Sequence, residues 1–409
     1  MATFEENLEK YAELAVKNAI NVQEGQTLRI SAEIANADFV RNVTKKAYKA
    51  GAKHVYVDWA DDELHLIRYK YAPDEAFREF PMWKAKGLEE MAENGAAFMS
   101  IYAPNPDLLK DIDPEKIATS QKSASQALEK FAGYQMSDKV SWTVLSVPTK
   151  EWAEKVFPDL STEEAMNQLW DQIFKMTRAD QDDPVEAWSQ HQKTLNEKVD
   201  YLNAKQYKKL HYRAPGTDLS IELPDGHIWV GGGSKNAKGD SFIANVPTEE
   251  VFTLPLKTGV NGTVRSTMPL NHDGSLIEDF SLTFEKGKIV DFKAESGYET
   301  LKQIIETDEG SHYLGEVALV PNDSPISQSG LIFFNTLFDE NASCHLAIGR
   351  AYPCFEDGMD ISQEEAENRG ANNSLTHVDF MVGSGELDID GETETGEKEP
   401  VFRNGNWAF

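Results

Sequence analysis

The chain has 409 residues and a formal net charge of −29, from 40 Lys and Arg residues against 69 Asp and Glu residues. At ~150 residues per domain, this length predicts two or three domains, each able to bury a hydrophobic core. Such an acidic chain is a poor partner for nucleic acid or an anionic membrane, because both require clustered basic side chains. Metal ions, free amines and other cationic groups are the ligands that this charge favours.

The two cysteines, Cys344 and Cys354, are too few for a disulfide framework and are typical of a protein of the reducing cytosol. The acidic N-terminal residues lack the basic and apolar regions of a signal peptide. No apolar run in the sequence approaches the ~20 residues that a membrane span requires. We therefore expect a cytoplasmic protein that binds neither nucleic acid nor membrane.

The first half of the chain alternates between helical and strand-like hydrophobic patterns. Apolar residues at helical spacing predict helices over residues 4–20, 36–51, 75–93, 107–132 and 162–203. Short β-rich runs predict strands at residues 28–30, 54–57, 97–102 and 140–147. This succession is typical of a mostly parallel sheet covered by helices. We therefore predict an N-terminal α/β domain over residues 1–206.

The pattern changes near Tyr207, where short β-rich runs separated by turn signals begin. Pro224-Asp225-Gly226 and Asn261-Gly262 are turn sequences typical of antiparallel sheets. A helix is predicted at residues 298–307, a strand at residues 316–320 and a solvated acidic hairpin between residues 386 and 399. The second predicted domain, residues 207–409, is therefore β-rich, belongs to the α+β class and carries the functional site.

Several well-known catalytic and nucleotide-binding signatures are absent from the sequence. There is no His-Glu-x-x-His, which excludes a helical zincin site. The first strand-to-helix junction, residues 31–35, has no Gly-x-Gly-x-x-Gly, so the α/β pattern comes without a dinucleotide fingerprint. A nucleotide-dependent enzyme, which the alternation alone would suggest, is therefore disfavoured.

Potential metal ligands are concentrated in the C-terminal half of the chain. In His377-Val378-Asp379 the i, i+2 spacing places an imidazole and a carboxylate on the same face of a strand. Glu316 begins an otherwise apolar strand, where a buried carboxylate requires a cation or hydrogen-bond donors. His345 also has small and apolar neighbours. Taken singly, each side chain is weak evidence for a metal, because salt-bridged pairs and satisfied core residues show the same patterns.

Glu249 and Glu250 are adjacent, so on a strand they face opposite ways and at most one of them enters a given site. The combined set of three carboxylates and two imidazoles is Glu250, Glu316, Asp379, His345 and His377. Carboxylates can bridge two divalent ions, and imidazoles favour Zn, Co or Mn over Ca or Mg. Two such ions ~3.5–4 Å apart share a hydroxide nucleophile in acyl transfer. The set therefore predicts metal-dependent hydrolysis.

Four segments, residues 245–253, 324–330, 333–343 and 377–381, resemble the thermophilic-type metalloaminopeptidases. Residues 5–11 and residues 402–407 also resemble this family, so the resemblance covers essentially the whole chain. The resemblance implies a cytosolic, homodimeric exopeptidase that removes N-terminal residues from peptides with a free N-terminus. It also implies two divalent ions, commonly Zn or Co, with Mn or Mg as alternatives, and a hydroxide activated by both ions.

The same resemblance assigns roles to individual residues. Its metal-ligand positions fall on Glu250, Glu316, Glu340, His345, His377 and Asp379. Glu340 rests on the resemblance alone. Tyr352 matches a tyrosine of the family's site, where it binds a metal or donates a hydrogen bond to the developing oxyanion. Glu250 fits the ligand position better than Glu249, which remains a candidate for the opposite face of the strand or for the general base.

We predict Glu316 and Asp379 as the bridging ligands of a two-metal aminopeptidase. The alternative function is a non-catalytic metal- or peptide-binding protein on the same scaffold, with the carboxylates holding one structural ion. The metal stoichiometry distinguishes the two, because two exchangeable ions favour the enzyme and one tightly bound ion favours the binding protein.

Overall fold

The computed structural model describes residues 3–103, 105–272, 275–357 and 361–409. Its α-helices are α1 (Phe4–Leu14), α2 (Ala37–Lys49), α3 (Asp62–Tyr71), α4 (Met82–Glu93), α5 (Pro114–Met136), α6 (Lys150–Val156), α7 (Thr162–Met176), α8 (Pro184–Lys205), α9 (Tyr298–Ile305), α10 (Thr336–Asp339) and α11 (Gln363–Asn368). Its strands are β1 (Thr27–Glu33), β2 (His54–Ala60), β3 (Ala97–Tyr102), β4 (Trp142–Ser146), β5 (Lys209–Ala214), β6 (Thr217–Glu222), β7 (Val230–Gly231), β8 (Ser234–Lys235), β9 (Ser241–Phe242), β10 (Asn245–Val246), β11 (Val251–Thr253), β12 (Val260–Arg265), β13 (Leu270–His272), β14 (Ser275–Ile277), β15 (Ser281–Glu285), β16 (Lys288–Lys293), β17 (Leu314–Leu319), β18 (His345–Gly349), β19 (His377–Met381), β20 (Asp388–Glu392), β21 (Lys398–Arg403) and β22 (Asn406–Trp407).

The chain divides into two compact units. The first unit contains the residues up to Lys193 together with Gly232–Thr248, and the second contains Thr194–Gly231 and Glu249–Phe409. The division falls within α8. The predicted domain boundary between residues 206 and 207 lies at the end of this helix and stays a prediction.

The first unit is built around a parallel sheet with strand order β10-β4-β3-β1-β2. Each neighbouring pair in this sheet is parallel. In β1, Leu28, Ile30 and Ala32 are buried in alternation with half-buried residues, as expected for a strand with one face against a core. The predicted α/β architecture with a mostly parallel sheet is therefore confirmed.

Proline residues account for two of the differences between the predicted and the observed helices of the first unit. The helix predicted over residues 162–203 is two helices, because α7 ends at Met176 and α8 begins at Pro184. The helix predicted over residues 75–93 begins only at Met82, after Pro81. The helix predicted over residues 4–20 is α-helical to Leu14 and continues as a π-helical turn. Helices α3 and α6 were not predicted.

The second unit is β-rich and contains two main antiparallel sheets. The larger has the strand order β16-β15-β12-β6-β5-β20-β21-β22, and the other has the order β19-β18-β17-β11-β7. The predicted acidic hairpin is formed by β20 and β21. Residues from both sheets share one hydrophobic core, in which the rings of Phe280 and Phe380 lie 5.5 Å apart. The predicted α+β class of the second domain is confirmed.

None of the helices in the described residues is both long enough and apolar enough to cross a membrane.

Candidate metal centre

The antiparallel register of β17, β18 and β19 brings the predicted ligands of these strands together. Glu316 on β17 and Asp379 on β19 both pair with Ala347 on the central strand β18. Residues that pair directly point to the same face of a sheet, as do residues i and i+2 along a strand. His345 and His377 therefore project from the same face as Glu316 and Asp379.

The opposite face of this sheet is apolar. Val317, Leu346, Val378 and Phe380 alternate with the ligand positions and belong to the core of the second unit. This alternation determines the register, because a slip of one residue would bury the charged side chains in the core and expose the apolar ones. The core therefore holds the four polar side chains on one surface.

Glu316 lies between the two histidines. Its Oε1 is 3.5 Å from Nε2 of His345, and its Oε2 is 3.8 Å from Nε2 of His377. Nε2 of His345 is also 3.0 Å from Oε2 of Glu250, and Nε2 of His377 is 3.5 Å from Oδ1 of Asp379. The side chains thus form two groups, Glu250–Glu316–His345 and Glu316–His377–Asp379, each with ligand atoms within 4.8 Å of one another.

Backbone carbonyls orient both imidazoles. Nδ1 of His345 lies 3.1 Å from the carbonyl oxygen of Ser343, and Nδ1 of His377 lies 2.7 Å from that of Arg350. With the Nδ1 proton donated to a carbonyl, the Nε2 lone pair faces the carboxylates. This is the usual arrangement of a histidine that binds a metal.

Gly315 allows β17 to reach this geometry. The pairing between β17 and β18 shifts register between Leu314 and Glu316, which is a β-bulge. A Cβ atom at Gly315 would collide with the carbonyl oxygen of Arg350, the same group that accepts the Nδ1 proton of His377. Glycine is therefore required directly before Glu316.

Two of the carboxylate oxygens are suited to a cation. Oε2 of Glu250 and Oδ1 of Asp379 are buried and have no aligned hydrogen-bond donor among the described residues, although each lies near an imidazole nitrogen. A buried carboxylate oxygen without a donor is costly. A divalent ion would satisfy both oxygens, so the residues present fit a metal.

The electrostatics of the cluster also fit a cation. Burial raises the pKa of Glu316 to about 7, and burial together with the charges of Asp379 and Glu250 raises the pKa of Glu340 well above its usual range. Burial lowers the pKa of His377, but the carboxylate of Asp379 outweighs it and raises the pKa to about 10. Four carboxylates thus surround two imidazoles, and this excess of negative charge favours divalent ions.

Glu340 lies in a short 3₁₀ turn, Glu340–Ala342, directly after α10. The turn is anchored by Asp339, whose carboxylate accepts the N–H groups of Phe333 and Asn335. Glu340 is buried and interacts electrostatically with Asp379, Glu250 and Glu316. The structure therefore places this residue beside the two ligand groups.

Asn341 is a supporting residue that the sequence analysis did not identify. It is fully buried, and its Oδ1 accepts the N–H of Glu249 at 2.7 Å while its Nδ2 donates to the carbonyl of Leu337 at 3.0 Å. Asn341 thus connects the Glu249–Glu250 segment to the turn that carries Glu340. It belongs to the segment 333–343 that resembles the family, but no spacing rule indicates its partner.

Glu249 and Glu250 directly precede β11, so the alternation considered for a strand does not apply to them. Glu250 lies in the first ligand group, whereas Glu249 is buried outside both groups formed by the described residues. The two side chains therefore have different surroundings, although strand alternation is not the cause.

Tyr352 lies beside the second ligand group. Its ring is edge-on to His377 at 5.4 Å and to Phe252 at 5.7 Å between centroids. Burial, and then the charges of Glu316 and Asp379, raise the pKa of the Tyr352 phenol well above its usual value. The phenol therefore keeps its proton and can donate a hydrogen bond.

Cys344 precedes His345 but has the properties of a core residue. Burial raises the pKa of its thiol to about 12, and its Sγ interacts with the backbone of Val320. A thiol that stays protonated is a poor metal ligand and a poor nucleophile.

The space above Ala347 leads to a testable prediction. Ala347 pairs with both Glu316 and Asp379, while Ala318 and Gly349 pair with His345 and His377, so small residues separate the ligands. Replacing Ala347 by Leu would place an isobutyl group between the carboxylates. We expect metal content, measured by plasma mass spectrometry, to fall by at least half, with activity falling in parallel. Ala347→Ser, which keeps the volume small, is the control and should retain the metal; a fully loaded, active Ala347→Leu enzyme would contradict this geometry.

The sequence is similar to known metalloproteases over nearly its whole length. The family of thermophilic metalloproteases (M29) matches residues 4–407. Aminopeptidase 2 of Geobacillus stearothermophilus is 57% identical over 410 residues, which cover 100% of this chain and 99% of that protein. Aminopeptidase AmpS of Bacillus subtilis is also 57% identical, with 100% of both chains covered.

A solved structure shows the same fold. Wild-type AmpT from Thermus thermophilus superimposes with a TM-score of 0.92 and 41% sequence identity, and the match covers 100% of both chains. Since both the sequence and the fold match over their whole length, the predicted family is confirmed: the chain belongs to the thermophilic metalloprotease family M29 and is a metalloaminopeptidase.

Proposed function

We propose that this metalloaminopeptidase holds two divalent ions and removes N-terminal residues from peptides with a free N-terminus. The proposed ligands are Glu250, Glu316, Glu340, His345, His377 and Asp379. The observation that carries the proposal is the position of Glu316, whose two carboxylate oxygens face different histidines. A carboxylate shared by two ligand groups is the arrangement expected for a bridging ligand of a two-ion site.

The donor set indicates which ions are preferred. Imidazole nitrogens favour transition metals and zinc, whereas Mg and Ca prefer oxygen ligands alone. Each of the two groups contains one histidine and two carboxylates. We therefore expect Zn or Co in the native enzyme, with Mn or Mg as weaker substitutes.

The reaction requires positive charge at the scissile carbonyl, an activated water and a group that accepts the proton of that water. Bound divalent ions would supply the positive charge and the activated water, by polarising the carbonyl and lowering the pKa of the water. The protonated phenol of Tyr352 donates a hydrogen bond to the developing oxyanion. A buried glutamate that is not itself a ligand can carry the proton to the leaving amine; Glu249, which is buried outside both ligand groups of the described residues, is the candidate.

A peptide with a free N-terminus fits the charge of this site. The α-amine is a cation or, when deprotonated, a metal ligand, and carboxylates outnumber imidazoles in the cluster. An N-acetylated peptide offers neither property. The free amine therefore positions the first peptide bond at the site, which limits hydrolysis to the N-terminal residue.

The role of Tyr352 leads to a prediction. Replacing Tyr352 by Phe is expected to lower kcat about 10²-fold, the usual effect of losing one oxyanion donor, with little change in KM. Both ions should remain bound, which is checked by metal analysis; loss of an ion would show that the phenol is a ligand instead. Tyr212→Phe is the control, because its buried hydroxyl has no hydrogen-bond partner among the described residues and its removal should leave kcat unchanged.

We also propose that the enzyme is a homodimer of the cytoplasm. In support, the first unit has exposed apolar side chains on α3 and α4, where Tyr71 is 79% exposed and Trp83 is 74% exposed. Strand β2 lies at the end of its sheet. Light scattering on the purified protein should give twice the chain mass, and Trp83→Glu should shift it toward the monomer if this surface is the interface.

The experiment that tests the proposed activity uses aminoacyl-p-nitroanilides, each also tested as the N-acetyl derivative. Cleavage is measured before and after chelation, and again after Zn, Co or Mn is restored, with the bound metal counted in each sample. Hydrolysis that requires the free amine and two ions per chain supports the proposal. Activity that persists at one ion per chain would contradict the two-ion mechanism.

A further inference from the structure

An apolar surface adjoins the ligands on the same face of their sheet. Val230 on β7 pairs with Phe252 on β11, Phe252 pairs with Ala318 on β17, and Ala318 pairs with His345 on β18. These paired residues form one row across the sheet and share its ligand-bearing face. The row is therefore apolar at one end and carries a candidate metal ligand, His345, toward the other.

Phe252 is in direct contact with the ligand environment. It lies two residues after Glu250, and its ring is edge-on to Tyr352, which is in turn edge-on to His377. Phe252 and Val230 pack against a second apolar cluster of the second unit, which includes Leu254, Cys354 and Phe355. This packing supports the Phe252 ring as a rigid surface.

The two apolar side chains are half-buried and so have surface left for contact. Met381, which pairs with His345 on its other side, is only 1% exposed. Within this row, Val230 on β7 and Phe252 on β11 therefore form the apolar surface that remains accessible beside the ligands.

The chemistry of the proposed function requires a surface of this kind. The α-amine and the scissile carbonyl of an aminopeptidase substrate are attached to the same α-carbon, so the N-terminal side chain must lie close to the ligands. We propose that Phe252 and Val230 form the contact surface for that side chain and make the enzyme prefer large apolar N-terminal residues such as Leu and Phe over Ala. This inference rests on the proposed aminopeptidase activity at the same site.

The size of the effect follows from apolar burial. A leucine side chain has three more carbon atoms than alanine, and each methylene transferred from water to an apolar surface changes binding by several-fold. Removal of the Phe252 ring takes away about half of the proposed contact surface. We therefore expect Phe252→Ala to lower kcat/KM for Leu-p-nitroanilide about tenfold and to leave kcat/KM for Ala-p-nitroanilide within about twofold.

The experiment compares kcat/KM for Leu-, Phe- and Ala-p-nitroanilide in the wild type and in Phe252→Ala, Phe252→Leu and Val230→Thr. Phe252→Leu keeps an apolar contact and should recover most of the Leu preference, whereas Val230→Thr changes polarity at nearly constant shape and should reduce it. Phe292→Ala is the matched control. Phe292 is also a partly buried strand phenylalanine of the second unit with an aromatic partner, Tyr298, at 5.1 Å, but it lies on another sheet.

The outcomes separate the specificity surface from the activity. A fall in the Leu/Ala ratio with two ions still bound supports the inference. An unchanged ratio, or an equal loss on both substrates, overturns it while leaving the aminopeptidase activity of the wild type established. A wild type that cleaves none of the three substrates overturns the proposed function, and the inference with it.

Discussion

Replacement of Glu316 by Gln is expected to abolish peptide hydrolysis while the fold stays intact. The amide is nearly isosteric with the carboxylate, but it is neutral and cannot bridge two cations. The variant should therefore bind one ion or none, and kcat/KM should fall by roughly 10³-fold or more, since several kcal/mol of transition-state stabilisation are lost with a metal. Burial of Glu316 at the centre of β17 explains why the shape of the side chain must be kept.

The measurements for this variant are kcat/KM, metal content and the midpoint of thermal unfolding. Glu392→Gln is the matched control, because Glu392 also forms a carboxylate–imidazole pair in the second unit, with Oε2 at 2.7 Å from Nε2 of His211. The control should keep its activity within about twofold and retain both ions. A Glu316→Gln enzyme that binds two ions and remains active would show that the proposed site is wrong.

Removal of the metal is expected to abolish activity and to lower the stability of the second unit. Each ion at a free concentration of about 1,000 times its dissociation constant stabilises the folded state by about 4 kcal/mol, so loss of both ions should lower the Tm by roughly 20 °C for a unit of this size. Differential scanning calorimetry before and after chelation measures this shift. Restoring Zn or Co should recover both activity and Tm, whereas Ca should recover neither.

The stability of the metal-free enzyme should also depend on pH in a defined direction. Burial raises the folded-state pKa of Glu316 to about 7 from 4.5 in the unfolded chain, so the folded metal-free protein binds more protons than the unfolded one. The contribution of Glu316 to the free energy of unfolding of the metal-free protein is therefore fully present below pH 4.5. It is lost as the pH rises to about 7. The difference in Tm between the metal-bound and metal-free enzyme should accordingly be larger at pH 7.5 than at pH 5.5.

Glu316→Gln provides the control for this pH dependence. The amide does not titrate, so the metal-free variant should lose less stability than the metal-free wild type over the same pH range. A metal-free wild type whose Tm rises between pH 5.5 and pH 7.5 relative to the variant would contradict the assigned direction of the pKa shift.

Hydrophobic periodicity was sufficient to predict the architecture of both parts of the chain. The alternation of helices and strands before residue 206 predicts a parallel sheet, and the turn sequences after it predict antiparallel sheets, because both signals depend on a few neighbouring residues. The prediction was weakest at helix boundaries. Apolar spacing alone extends one helix from residue 162 to residue 203, whereas α7 ends at Met176 and Pro184 begins a new helix.

Local spacing also predicted part of the candidate site. His377 and Asp379 share a face of β19 because side chains alternate along a strand, and Glu316 lies in a strand in which every residue is buried. Glu340 and Tyr352 show no such periodic signal, since they lie in a 3₁₀ turn and in a loop. Their selection depended on the resemblance to a family.

The sequence by itself determined the composition of the site: the acidic and imidazole side chains, the strands that carry them and the family to which the chain belongs. Only the tertiary structure decided which of these side chains meet. The pairing of β17, β18 and β19 places Glu316 and Asp379 on either side of Ala347, and Asn341 connects the segment before β11 to the turn of Glu340. These contacts join residues far apart in the chain, so they depend on strand register and core packing, which no local spacing contains.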